Sequence, residues 1–115
     1  MNGPLTGVKV VDWSAWLQGP VASMMLGDLG ADVVKVENPN GGDPSRGLVT
    51  IGGVSTGNLS RNFFFTASNR NKRSLAVDLK EPLGVEIVHG LVKRSDVFLH
   101  NFGDDVAERL GFGYE

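Results

Sequence analysis

Hydrophobic positions along this chain fall into short β-branched runs and longer stretches of helical spacing. Val8 to Val11 is a β-branched run bounded by Gly7 and ended by Asp12, the pattern of a buried parallel strand. Ala22, Met25, Leu26 and Leu29 then recur at helical spacing. Gly19-Pro20 opens this helix, with proline suited to its first position, and Gly30 stops it. Asp32 to Glu37 reads as a second strand, so strand, helix and strand make a βαβ unit. Ser74 to Leu79 alternates weakly and predicts another strand. Pro82 begins a second long helix, in which Leu83, Ile87 and Leu91 form an i,i+4 stripe beside Val88 and Val92. Lys93 and Arg94 fall in its last turn, where cations complement the helix dipole. Asp96 to Leu99 predicts a further strand, and 104–110 a short helix ended by Gly111 or Gly113.

This order of elements predicts an α/β fold, a parallel sheet with helices on both faces. The chain stops at Gly113-Tyr114-Glu115, directly after a short helix, so an incomplete sheet with an exposed edge is expected. Between 38 and 62 lie six glycines and two prolines. A structureless loop of that length is uncommon in a compact domain and is usually functional or mobile.

Composition narrows the class. A chain of 115 residues suits one modest domain. Eleven Lys and Arg against 13 Asp and Glu give a net charge of -2, which argues against a nucleic-acid binder. There is no cysteine, so disulfides, thiolate metal sites and a cysteine nucleophile are excluded, and a reducing cytoplasm is expected. No apolar run reaches the roughly 20 residues that span a bilayer, and no membrane role is expected.

Known chemical motifs are few. Neither G-x-G-x-x-G after the first strand nor a P-loop is present. His89 and His100 have no ligand-spaced companions, which predicts no metal site, and a packing role outweighs a catalytic one for each. In a parallel sheet, ligands bind at the carboxyl ends of the strands. Those ends here are the segments 12–20, 37–39 and 100–103. Trp16 and Phe102 offer stacking surfaces there, and Gln18 and Asn101 offer amide hydrogen bonds. The densest basic patch is Asn69 to Ser74, where Lys72 and Arg73 suggest a phosphate-binding edge against the plainer reading of a solvated turn. Arg109 offers a further phosphate contact.

Several segments carry a familiar pattern: G-V-K-V-V-D-W at 7–13, G-P at 19–20, L-G-D-L-G-A-D-V-V-K-V-E at 26–37, G-G-D-P-S-R-G at 41–47, N-R-N-K-R-S-L-A-V-D-L-K at 69–80, N-F at 101–102 and E-R-L-G-F-G-Y-E at 108–115. Each is weak alone; their order and spacing make the signal strong. Together they resemble the family III CoA-transferases, the group that includes the CaiB/BaiF proteins, formyl-CoA transferase and α-methylacyl-CoA racemase.

The resemblance implies that residues 1–115 are the N-terminal part of a Rossmann-like large domain that binds coenzyme A. It implies a homodimer of interlocked subunits, with acyl-CoA and a carboxylic acid as substrates. Transferases of this group use an aspartate nucleophile, and none of the aspartates here matches its position. The racemase branch instead removes a proton beside the thioester carbonyl. A non-catalytic CoA-binding or assembly piece is the alternative from another class. By resemblance, Trp16 and Val77 fall at apolar positions near pantetheine or adenine, and Asn101 and Phe102 line the CoA path. Lys72 with Arg73, and Arg109 with Leu110, lie near the phosphates and nucleotide. Two departures stand out. Leu17-Gln18-Gly19-Pro20 displaces by one residue the amide that some formate-type members carry. Asn38 stands where CoA binders commonly carry arginine.

Overall fold

The computed structural model describes residues 2–114. Four parallel strands form the central sheet: β1 (Lys9–Trp13), β2 (Asp32–Glu37), β3 (Lys72–Ala76) and β4 (Val97–His100). Their order is β3-β2-β1-β4. The connections therefore run one way from β1 to β3 and then cross to the far side of β1, which puts the topological switch between β1 and β4. Among the described residues β3 and β4 are the sheet edges.

The two faces of the sheet differ. Val11, Trp13 and Val36 point to one side, where Val88 of helix α3 (Pro82–Val92), Ala107 of α4 (Asp104–Arg109) and Phe112 complete an apolar core. Register places Phe98 beside Val11 and His100 beside Trp13, so this face is largely aromatic. Trp13 lies 4.6 Å from Phe102 and 5.3 Å from Phe112 between ring centroids. The opposite face begins apolar, with Val10 and Val33 packed under Leu26 of α1 (Gln18–Asp28). Toward the carboxyl ends it turns ionic, with Asp12 beside Lys35 in register. A further helix, α2 (Phe63–Asn69), packs against α1.

The helices dock by faces other than the apolar stripes of the sequence. In α1 the buried residues are Gly19, Pro20, Ser23, Met24 and Gly27, whereas Met25 and Leu29 are exposed. Small side chains four apart let the helix backbone approach the sheet closely. A Cβ at Gly19 would collide with the Ser14 side chain. In α3, Leu83 is 67% and Ile87 45% exposed, while Gly84 and Val88 are buried. Gly84 rests against the backbone carbonyl of Asp78, where a Cβ has no room, and this contact turns Val88 to the core in place of Ile87.

The 38–62 segment is not structureless. It holds a 3₁₀ turn at Pro44–Gly47 and two small hairpins, Thr50–Ile51 with Val54–Ser55 and Gly57–Asn58 with Arg61–Asn62. The Asn62 amide donates to the carbonyls of Ser45, Arg46 and Leu48, and its oxygen caps α2 by accepting from the Phe65 N–H at 3.1 Å. Element boundaries also move. Helix α1 starts at Gln18, so Pro20 is its third residue, and β3 starts at Lys72, two residues before the predicted strand.

Candidate functional site

A cleft of about 620 Å³ opens at the carboxyl ends of β1, β2 and β3. Trp13 and Trp16 supply wall on the β1 side, Val77 and Leu79 follow β3, and Phe102 and Leu110 border α4. Glu37, Asp43 and Asp78 lie on its lining, with Lys80 and Arg109 as its cations. Among the described residues no ion pair engages Lys80 or Arg109.

Beneath this cleft lies a buried cluster of four charges. Asp12 and Lys35 are neighbours across β1 and β2, and both are almost fully buried. The Asp12 carboxylate accepts from the Ser23 hydroxyl at 2.6 Å, from Lys72 Nζ at 2.9 Å and from the Ser14 hydroxyl. Lys35 Nζ donates to the Ser14 carbonyl at 2.8 Å and sits 3.0 Å from Asp43 Oδ2, close but not aligned as a hydrogen bond. Two carboxylates and two ammoniums balance, which is the condition for burying charge at tolerable cost.

A second pair joins the 38–62 segment to β2. Arg46 donates from Nε and Nη2 to the two oxygens of Glu37 at 2.9 and 2.8 Å, and its guanidinium lies 3.8 Å from the Phe65 ring centroid. Burial works to raise the Glu37 carboxyl, but Arg46 and the Asp43 N–H outweigh it and hold it below the usual range. Asp43 follows the same pattern: burial pushes it up, and Ser45 with Lys35 brings it lower on balance. Burial pulls Lys72 down, and Asp12 opposes that in part.

The segment Ser14–Trp16 is clamped from several sides. The Asn101 amide grips Ala15 by both backbone groups: Oδ1 accepts from its N–H at 2.9 Å and Nδ2 donates to its carbonyl at 2.7 Å. Asn101 follows β4 and Ala15 follows β1, so this clip spans the switch point. Asp43 Oδ1 accepts from the Trp16 N–H at 3.2 Å and from Ser45. Trp16 is held at φ +68°, a left-handed conformation rare for a bulky residue, with its side chain half-exposed at the cleft.

The structure brings five of the nine predicted residues together on the cleft: Trp16, Val77, Phe102, Arg109 and Leu110. Gln18 and Asn101 do not line it. Gln18 opens α1 and is exposed, and the Asn101 amide is taken by Ala15. Lys72 and Arg73 do not line it either. Lys72 is drawn inward to Asp12, the Pro20 carbonyl and Asn69. Arg73, near the amino end of β3, points to the other face of the sheet and pairs with Asp32 at 2.7 Å. Arg70, in the same patch, pairs with Asp28 at 2.6 Å. The patch is thus matched by three aspartates and forms no common edge.

Sequence reasoning missed Lys80 and Asp43. Lys80 directly follows the predicted strand Ser74 to Leu79, whose carboxyl end is not among the segments 12–20, 37–39 and 100–103 of the ligand-binding rim. Asp43 carried the signal of a turn cap, Asp-Pro-Ser, which predicts its bond to the Ser45 N–H but not its reach to Trp16.

Among the described residues no group of His, Cys, Asp and Glu is placed to hold a metal ion, and no helix is long and apolar enough to cross a membrane. Comparison with known proteins points one way. The chain is 44% identical over 114 residues to succinyl-CoA:glutarate CoA-transferase of Homo sapiens, covering 97% of this chain and 24% of that protein. It is 41% identical over 116 residues to formyl-CoA:oxalate CoA-transferase of Bradyrhizobium diazoefficiens, covering 100% of this chain and 26% of that protein. The chain thus spans about a quarter of the length of the curated relatives it matches. The crystal structure of a CaiB/BaiF family protein from Brucella suis superposes with a TM-score of 0.84 at 37% identity, over 99% of this chain and 30% of that one. A structure from Mycobacterium tuberculosis gives 0.83 at 34%, over 98% and 28%. The model of CoA-transferase family III matches residues 5–115, nearly everything from the first turn to the end of the sheet's last helix and beyond, and the chain belongs to that family.

Proposed function

We propose that residues 1–115 form the N-terminal part of the CoA-binding large domain of a CoA-transferase that moves CoA between an acyl-CoA and a carboxylic acid. The cleft carries this reading. Its aromatic and aliphatic walls, Trp16, Val77, Phe102 and Leu110, suit the adenine and the pantetheine arm. Lys80, in the turn after β3, and Arg109, the last residue of α4, complement the phosphates. The relatives named for glutarate and oxalate both support a dicarboxylic acid as acceptor.

The cleft carboxylates Glu37 and Asp43 hold cations and neighbouring N–H groups, which suits structural anions and not nucleophiles. None of the aspartates here matches the position of the transferases' nucleophile, and none is assigned that role. Its family supports a homodimer, and the absence of cysteine suits the cytoplasm.

The test uses the full-length protein with succinyl-CoA plus glutarate, and with formyl-CoA plus oxalate, separating the thioesters by mass. Appearance of the exchanged acyl-CoA is the expected result. CoA binding without exchange would favour a binding module, and deuterium uptake beside the carbonyl without exchange would favour a racemase. Absence of CoA binding by calorimetry would overturn the reading.

A further inference from the structure

We infer that Asp43 and Asn101 are positioning residues for ligand binding: they hold Trp16 in its left-handed conformation and so set one wall of the cleft. This inference rests on the CoA reading of that cleft. A left-handed tryptophan does not persist unless its surroundings over-determine it, and strain of this kind concentrates at ligand sites. The surroundings here are specific. Asp43 Oδ1 takes the Trp16 N–H, and Asn101 fixes both backbone groups of the preceding Ala15. Lys35 fixes the Ser14 carbonyl one residue earlier. Three consecutive residues are therefore held by side chains from β2, from the 38–62 segment and from the turn after β4.

Ser14 and Ala15 are buried, but the Trp16 that these contacts lead up to is 50% exposed. Their product is the placement of an aromatic ring at the open end of the sheet. Asp43 is also fixed by Ser45 and by Lys35, so it is a rigid post and not a mobile acceptor. The Gly-rich 38–62 segment thereby acquires a second role, carrying the residue that aims Trp16.

A double-mutant cycle tests the inference, with CoA affinity of the full-length protein measured by calorimetry and folding checked by circular dichroism. Asp43→Ala in the parent is expected to weaken CoA binding about tenfold, the equivalent of about 1.4 kcal/mol. In a Trp16→Ala background the same change is expected to have less than about a twofold effect, because the ring it positions is gone. Asp43→Asn, which keeps the oxygen that accepts from Trp16, is expected to restore most of the affinity. Asn101→Ala is a second cut from the other side that leaves the charge cluster intact, and it keeps the test valid if Asp43→Ala fails to fold. Equal losses in both backgrounds, for whichever variant folds, would overturn the inference and show a direct or general effect. Failure of the parent to bind CoA would instead overturn the reading of the cleft.

Discussion

Lys35 is the most informative single position for stability. Its ammonium is buried between two carboxylates, 3.0 Å from Asp43 and 4.0 Å from Asp12, and donates to the Ser14 carbonyl. Replacing it by methionine keeps most of the side-chain volume and removes the charge. Asp12 retains Lys72 at 2.9 Å, so Asp43 is the anion left stranded. Breaking a buried pair from one side costs about 3–5 kcal/mol, and loss of the bond to Ser14 is part of that sum. Lys35→Met is therefore expected to lower unfolding free energy by about that amount in urea, followed through the fluorescence of the core residue Trp13. The deficit should shrink on acidification, because a stranded Asp43 takes up a proton more readily than a paired one. Lys35→Met with Asp43→Asn removes both charges, and should recover to within about 2 kcal/mol of the parent. A single variant within about 1 kcal/mol of the parent, or a double variant equal to the sum of the two singles, would refute this account.

Two further outcomes follow from the same charges. Glu37 and Asp43 titrate below their ordinary values of 4.5 and 3.8 in the fold, so the stability they contribute is complete above those values and is lost as pH falls through the lower, folded ones. Acid titration should show little change from neutrality to about pH 5 and a steep loss below about 4; a decline starting near pH 6 would contradict this assignment. For ligand binding, Lys80→Ala and Arg109→Ala should each weaken CoA at low salt, with the effect shrinking as the screening length falls from about 10 Å at 0.1 M to about 3 Å at 1 M. Arg73→Ala, already paired with Asp32, should change affinity less than about twofold, and a larger effect than Arg109→Ala would reverse the assignment of the phosphate cations.

Much of the fold is legible in the sequence because local signals and global topology agree. Strand β2 lies where its β-branched run puts it, α3 begins at Pro82, and Gly30 and Gly111 follow helix ends at positive φ. Helix orientation was not legible. A reading that seeks the largest apolar residues selects Met25 and Ile87, whereas docking is set by how near a backbone can come, through Gly19, Ser23 and Gly27 in one helix and Gly84 in the other. Helix α2 was missed because its Phe63-Phe64-Phe65 run has no helical spacing; the Asn62 cap was the available signal. In the site, the strand-end rule found the cleft and the aromatic residues. The basic patch lies off the cleft, each cation paired with an aspartate, and this was not legible because charge density along a chain says nothing of which aspartates fold against it. Asp28, Asp32 and Asp12 reach those three cations from 42, 41 and 60 residues away.

The unlike faces of the sheet have a consequence for how such a sequence can drift. On the aromatic side, each residue meets neighbours only by shape, so volume-conserving exchanges can accumulate one at a time. On the ionic side, Asp12, Lys35, Asp43 and Lys72 are mutually dependent, and a change at one is tolerable only with a matched change at another. Descendants of this chain should therefore vary gradually beneath α3 and α4, and beneath α1 in rare coordinated jumps.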